Sequence, residues 1–193
     1  ADALKVASRR GLRIDAVSES SGPGSYTGLR IGVSMAKCIC YGYDVPLIAL
    51  STLRILTGQA LGKADENTLL CPALDARRME IYTAVYNHKG EELKPAEALV
   101  LEENSFEDFH PDKTLCFFGD GAKKCMGKLS RKNICSLGAL VPRASEMLHP
   151  ALEAFRSGRF EETAYFEPNY LKDFQATVPK KLDRLIGKID SFS

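Results

Sequence analysis

The chain has 193 residues, 45% of them hydrophobic and 26% charged, with 26 Lys plus Arg against 25 Asp plus Glu for a formal net charge of +1. That is one large domain or two small ones with enough apolar material for a buried core, not a disordered chain. The balanced charge argues against gripping nucleic acid by bulk charge alone, and no apolar run approaches the roughly 18–20 residues needed to span a bilayer.

Ala1 to Arg10 has the spacing of the end of an amphipathic helix, stopped at Gly11. Ile14 to Ser20 reads as a short strand. Gly22-Pro23-Gly24-Ser25-Tyr26-Thr27-Gly28 is too rich in glycine for regular structure and leads into a helix over about Leu29 to Tyr41. Val45 to Leu50 is a short apolar run, hence a buried strand, and Ser51 is placed to cap a helix reaching about Leu61. After a polar loop, Thr68 to Leu74 and Met79 to Tyr86 read as strands of an antiparallel hairpin joined by Asp75-Ala76-Arg77-Arg78. Ala96 to Leu101 and Thr114 to Phe118 are expected strands, and Gly121 to Leu129 a short helix. Apolar spacing predicts a helix over about Arg143 to Phe155, kinked at Pro150. A C-terminal helix from Pro179 to Phe192 carries the stripe Leu182, Leu185, Ile186, Ile189. The alternation of strands and helices fits α/β or α+β.

Cys38, Cys40, Cys71, Cys116, Cys125 and Cys135 form no C-x-x-C pair, and His88, His110 and His149 are scattered, so reduced thiols in a cytoplasmic protein are expected and no metal site is. No spacing suggests a hydrolytic triad, and no catalytic residue is assigned.

The glycine turn admits two readings. A helix N-terminus behind a glycine turn can cradle phosphate. The turn fits neither G-x-x-x-x-G-K-[ST], since Leu29-Arg30 follow Gly28, nor G-x-G-x-x-G, since Thr27 holds the last place. The other reading is a tight turn packing a helix closely on a sheet. In the helix behind it, Arg30, Ser34, Lys37 and Tyr41 make one polar stripe and the rest is apolar or small. A surface helix needs only about a 100° apolar stripe, so this one is expected to be covered on two sides, by its sheet and by either a neighbouring helix or a second protein. Leu29, Arg30, Gly32, Val33, Ala36, Lys37 and Cys40 are the expected partner interface. Asp75, Arg77 and Arg78, at the hairpin tip, either contact a partner or a nucleic-acid phosphate, or are a local turn with solvated arginines.

The segment Gly22-Pro23-Gly24-Ser25-Tyr26-Thr27-Gly28-Leu29-Arg30-Ile31-Gly32 is very similar to the signature of the TsaB/YeaZ family. Ala36-Lys37, Val45-Pro46-Leu47 and Ser51-Thr52-Leu53 extend the match. Asp75-Ala76-Arg77-Arg78 with Glu80-Ile81-Tyr82 resembles a second family block, and Pro168-Asn169-Tyr170-Leu171-Lys172 a third, where Tyr170 is expected to anchor the C-terminal segment in the core instead of touching substrate. Met79 stands where the family commonly has Gly. The chain does not begin with Met, and family members start earlier with a β-hairpin and a long first helix.

The resemblance implies an actin-like (ASKHA, RNase H-like) α/β fold of two lobes. The expected divisions are an incomplete N-terminal lobe at 1–95, a smaller C-terminal lobe at 96–178 and a helix or tail at 179–193. It implies a non-catalytic scaffold in the complex that forms threonylcarbamoyladenosine (t6A) next to the anticodon of ANN-decoding tRNAs. The implied partners are the catalytic paralogue TsaD, the ATPase TsaE and a second copy of the chain, with tRNA met only through the complex and no membrane. ATP and metal would be used by the partner subunits, and no cofactor would be bound by this one. The alternatives are an autonomous actin-like ATPase and, less favoured, a glycoprotease-type metallopeptidase of the M22 class.

Overall fold

The computed structural model describes residues 2–172; the expected C-terminal helix and the 179–193 segment lie outside the described residues. The chain order is α1 (Asp2–Arg9), β1 (Val17–Gly22), α2 (Tyr26–Tyr43), β2 (Leu47–Ser51), α3 (Thr52–Gly58), β3 (Thr68–Asp75), β4 (Glu80–Tyr86), β5 (Glu92–Val100), β6 (Thr114–Phe118), α4 (Ala122–Lys128), β7 (Ile134–Gly138), a 3-10 turn (Ala144–Met147) and α5 (Leu148–Arg156).

β1 and β2 pair in parallel across the helical crossover α2, with Val17 opposite Leu47 and Ser20 opposite Leu50. Their two faces are covered differently. Val17 and Leu47 pack with Ala36 and Cys40 of α2, whereas Ile48 and Leu50 pack with Ile55 of α3 and Ala154 of α5. Asp44, in the left-handed conformation, ends α2 by donating its N–H to the Cys40 carbonyl.

The second sheet has the order β5-β4-β3-β6-β7. β5 with β4 and β4 with β3 pair antiparallel, while β3 with β6 and β6 with β7 pair parallel. This mixed sheet, following a βαβ unit, is the expected α/β architecture. Alternation on β3 and β6 sends Leu69, Cys71, Leu115 and Phe117 to one face, under Ala122 and Cys125 of α4. Leu70 and Phe118 go to the other, under Leu53 and Leu56 of α3. β3 and β4 thus join the sheet of the later strands. Sheet membership changes between α3 and β3.

The expected hairpin is present. Three local expectations need correction. Ser51 makes no side-chain cap bond to α3. Pro150 does not kink a long helix: a 3-10 turn ends at Met147 and Pro150 lies in the first turn of α5, where its missing N–H has no intrahelical role. The strand β7 was not foreseen, because Cys135, Ser136 and Gly138 give it little apolar alternation.

Candidate functional site

Three loops and one C-terminal segment meet where β1, β3 and β6 end. Gly22, the last residue of β1, has φ 111°, and a Cβ on it would lie 2.7 Å from the Asn169 carbonyl oxygen. Only glycine fits so close an approach, and this favours the tight-turn reading of the motif. The Ser25 hydroxyl accepts the Gly28 N–H at 3.4 Å and caps α2.

The segment responsible runs over 159–172 as a strap. Glu161 donates its N–H to the Leu47 carbonyl at 2.9 Å. The Lys37 ammonium donates to the carbonyls of Ala164 at 2.9 Å and Phe166 at 3.1 Å. Asn169 donates its N–H to the Ser21 carbonyl at 2.8 Å. Tyr170 anchors the strap at the surface and not in the core, its ring 4.8 Å from that of Tyr26, over which the Arg30 guanidinium lies at 5.5 Å. Lys172 then forms an ion pair with Glu80 on β4. The strap therefore ties the three motif blocks, far apart in sequence, into one site.

The turn after β3 is held by carboxylates. Asp75 Oδ1 accepts the Arg77 N–H at 2.6 Å and the Lys124 ammonium at 2.7 Å. The lysine bond, joined by that N–H, holds the Asp75 carboxyl below its ordinary range. The Asp75 N–H donates in turn to Asp120 Oδ1 at 2.8 Å. Arg77 and Arg78 have φ values of 70° and 47° and are exposed. Met79, at the family's glycine position, lies outside the left-handed region, so its side chain is accommodated.

Gly119, in the loop that supplies Asp120, was not singled out from the sequence. It has φ 108°, and a Cβ there would lie 2.3 Å from the Ala73 carbonyl oxygen. Its signal was a strand followed by Gly119-Asp120-Gly121, the same kind of punctuation as at Gly22.

Of the expected partner residues, Leu29, Val33, Ala36 and Cys40 are buried against the chain's own fold. The β1–α2–β2 crossover decides which apolar face turns inward, something periodicity does not encode. Arg30 and Lys37 belong to the polar stripe and serve Tyr26 and the strap. Gly32 is exposed at the margin. The apolar surface left outside is Ile31, 61% exposed, and Met35, 60% exposed, with the exposed Cys38 in the same stripe. Val6 and Leu12 add exposed apolar surface around α1.

Glu19 was also not foreseen. It is 8% exposed on β1, with Oε1 unpaired and Oε2 facing Gly32 of α2. Burial, then the nearby Glu161 charge, push its carboxyl up to about 7. All six cysteines are free thiols, four of them buried. Among the described residues no group of three or more His, Cys, Asp or Glu is placed to hold a metal ion, and no helix is long and apolar enough to cross a membrane.

Residues 1–105 match the family model described as "TsaD: tRNA N6-adenosine threonylcarbamoyltransferase". The chain is similar to the tRNA threonylcarbamoyladenosine biosynthesis protein TsaB of Escherichia coli, 29% identical over 166 residues, covering 83% of this chain and 71% of that one. The TsaB of Bacillus subtilis is 40% identical over 85 residues, 42% of this chain and 36% of its own length. Among solved structures, YeaZ from Pseudomonas aeruginosa shares the fold with a TM-score of 0.71 at 24% identity, covering 86% of this chain and 79% of that one. A second structure from that organism, of an uncharacterized protein with similarity to peptidase YEAZ, gives a TM-score of 0.75 at 23% identity, covering 88% of this chain and 81% of that one. Motif blocks, fold and relatives agree, and the chain belongs to the TsaB/YeaZ family, within the wider group that the TsaD family model describes.

Proposed function

We propose that this chain serves t6A biosynthesis on tRNA as a non-catalytic subunit that docks a TsaD-type transferase through the outer stripe of α2. The observation carrying the proposal is that Ile31 and Met35 stand exposed on a helix whose opposite face is already buried. A helix with two apolar faces separated by a polar stripe suits a protein covered on both sides. The relatives' role in t6A biosynthesis, as their names state it, supports the pathway. The match to a TsaD family model supports the partner: a paralogue with a related βαβ unit would present a similar helix. A second copy of the chain would compete for the same stripe. ATP and metal chemistry rest with TsaD and the ATPase TsaE in this reading, and the setting is the cytoplasm.

The test is co-elution of the chain with TsaD, and the rate of t6A formation, for Ile31→Glu/Met35→Glu. Burying unpaired carboxylates should weaken association by roughly a hundredfold or more while the monomer's melting midpoint stays put. Undiminished association would remove this stripe from the interface.

A further inference from the structure

We propose that the Arg77–Arg78 turn is a contact for the phosphate backbone of RNA, made by this chain itself. Both residues sit in left-handed backbone, a conformation that favours glycine, yet both are arginine. The conformation is over-determined from the flanks. Besides the Asp75 and Asp120 bonds, Ala76 donates its N–H to the Glu80 carbonyl at 3.1 Å, Glu80 donates back to the Arg77 carbonyl at 3.1 Å, and the Lys124 ammonium reaches the Glu80 carbonyl at 3.1 Å. Strained residues held in place this firmly mark sites of interaction more often than plain connections.

The charges point to the ligand. The carboxylates around the turn are engaged elsewhere: Asp75 with Lys124, Glu80 with Lys172, and Asp120 with the Asp75 N–H. Among the described residues neither guanidinium has an ion pair or a side-chain hydrogen bond, so two adjacent planar forks face outward uncompensated. That geometry matches phosphate oxygens. From Glu80 the strap leads through Lys172 to the stacked Tyr26 and Tyr170 and to Arg30. Past the Lys172–Glu80 ion pair the strap thus adds two stacked aromatic rings and the Arg30 guanidinium, which suits a nucleic-acid strand better than an acidic peptide. A local patch of this kind is compatible with a net charge of +1.

The experiment is fluorescence anisotropy of an unmodified tRNA transcript with the full chain, comparing wild type, Arg77→Gly/Arg78→Gly and Arg77→Lys/Arg78→Lys across a salt series. The glycine pair should weaken binding at least fivefold and lower the slope of log K against log salt by roughly 1.5, for two lost phosphate contacts. Its melting midpoint should hold or rise, because glycine fits both positions, so a loss of affinity is not unfolding. The lysine pair should keep most of the salt slope. Unchanged affinity and slope in the glycine pair would overturn the inference. So would loss of TsaD association with RNA affinity intact, which would make the turn a protein contact. Docking of TsaD is read separately from the α2 stripe variants, so either reading can fail alone.

Discussion

Glu19 is a carboxylate on a strand face that otherwise carries Val17 against α2. Folding strips most water from it without giving Oε1 a partner, and Glu161 adds repulsion, so the folded state favours the protonated acid. The sign of the pH dependence follows. The unfolded carboxyl ionises near 4.5 and the folded one at about 7, so the native chain holds the extra proton between those values. Stability should therefore be fully present below pH 4.5, fall as pH rises through that window, and level off above about 7, a total change of about 3 kcal/mol. Glu19→Gln should flatten this slope in urea titrations at pH 5 and pH 8, and should be the more stable protein at pH 8. A wild-type curve with no slope across the window would contradict the assignment. Nothing in the local sequence announced this residue. Val17-Ser18-Glu19-Ser20 alternates too weakly to show which side faces the helix, and only the pairing with β2 decides it.

Among elements, α2 shows most clearly what periodicity can tell and what it cannot. Its polar stripe and its surplus of apolar surface were legible from spacing alone. Which apolar side faces the sheet was not, because the answer lies in the handedness of the β1–α2–β2 crossover. The strap is a second case. Residues 159–172 contain little regular structure, so no period marks them, yet Lys37 of α2 holds two of their carbonyls. Hydrogen bonds from an ammonium to carbonyls contribute about 1.5–3 kcal/mol each at most, less where solvent reaches them. Lys37→Met keeps the packing of the stem and removes both bonds. Hydrogen exchange over 161–170 should accelerate by roughly tenfold, for about 1.4 kcal/mol of local opening, while β3 and β6 keep their protection. An unaltered strap would show that Phe166 and Tyr170 hold it without the lysine.

At the scale of the molecule, the sequence carried the three motif blocks but not their meeting point, because the contacts that join them run between residues more than eighty positions apart, as from Glu80 to Lys172. Nor did it show that the two sheets share one helix. On α3, Leu53 and Leu56 are buried against Leu70, Tyr86 and Phe118 of the larger sheet, while Ile55 is buried against Ile48, Leu50 and Ala154. The larger sheet has a core on each face and does not need Ile55. The β1–β2 pair is a two-stranded sheet that depends on its helices, since an isolated pair of strands is marginal at best. Truncating Ile55 to Ala should therefore cost about 2–5 kcal/mol, falling first on the smaller unit. In native-state hydrogen exchange, amides of 47–51 should open well before those of 68–74 and 114–118. Leu56→Ala should lower protection in the larger sheet as well, because it unpacks the shared helix from the other side. If both variants loosened both sheets equally, the two would form a single cooperative unit, and α3 would be an ordinary core helix instead of the joint between them.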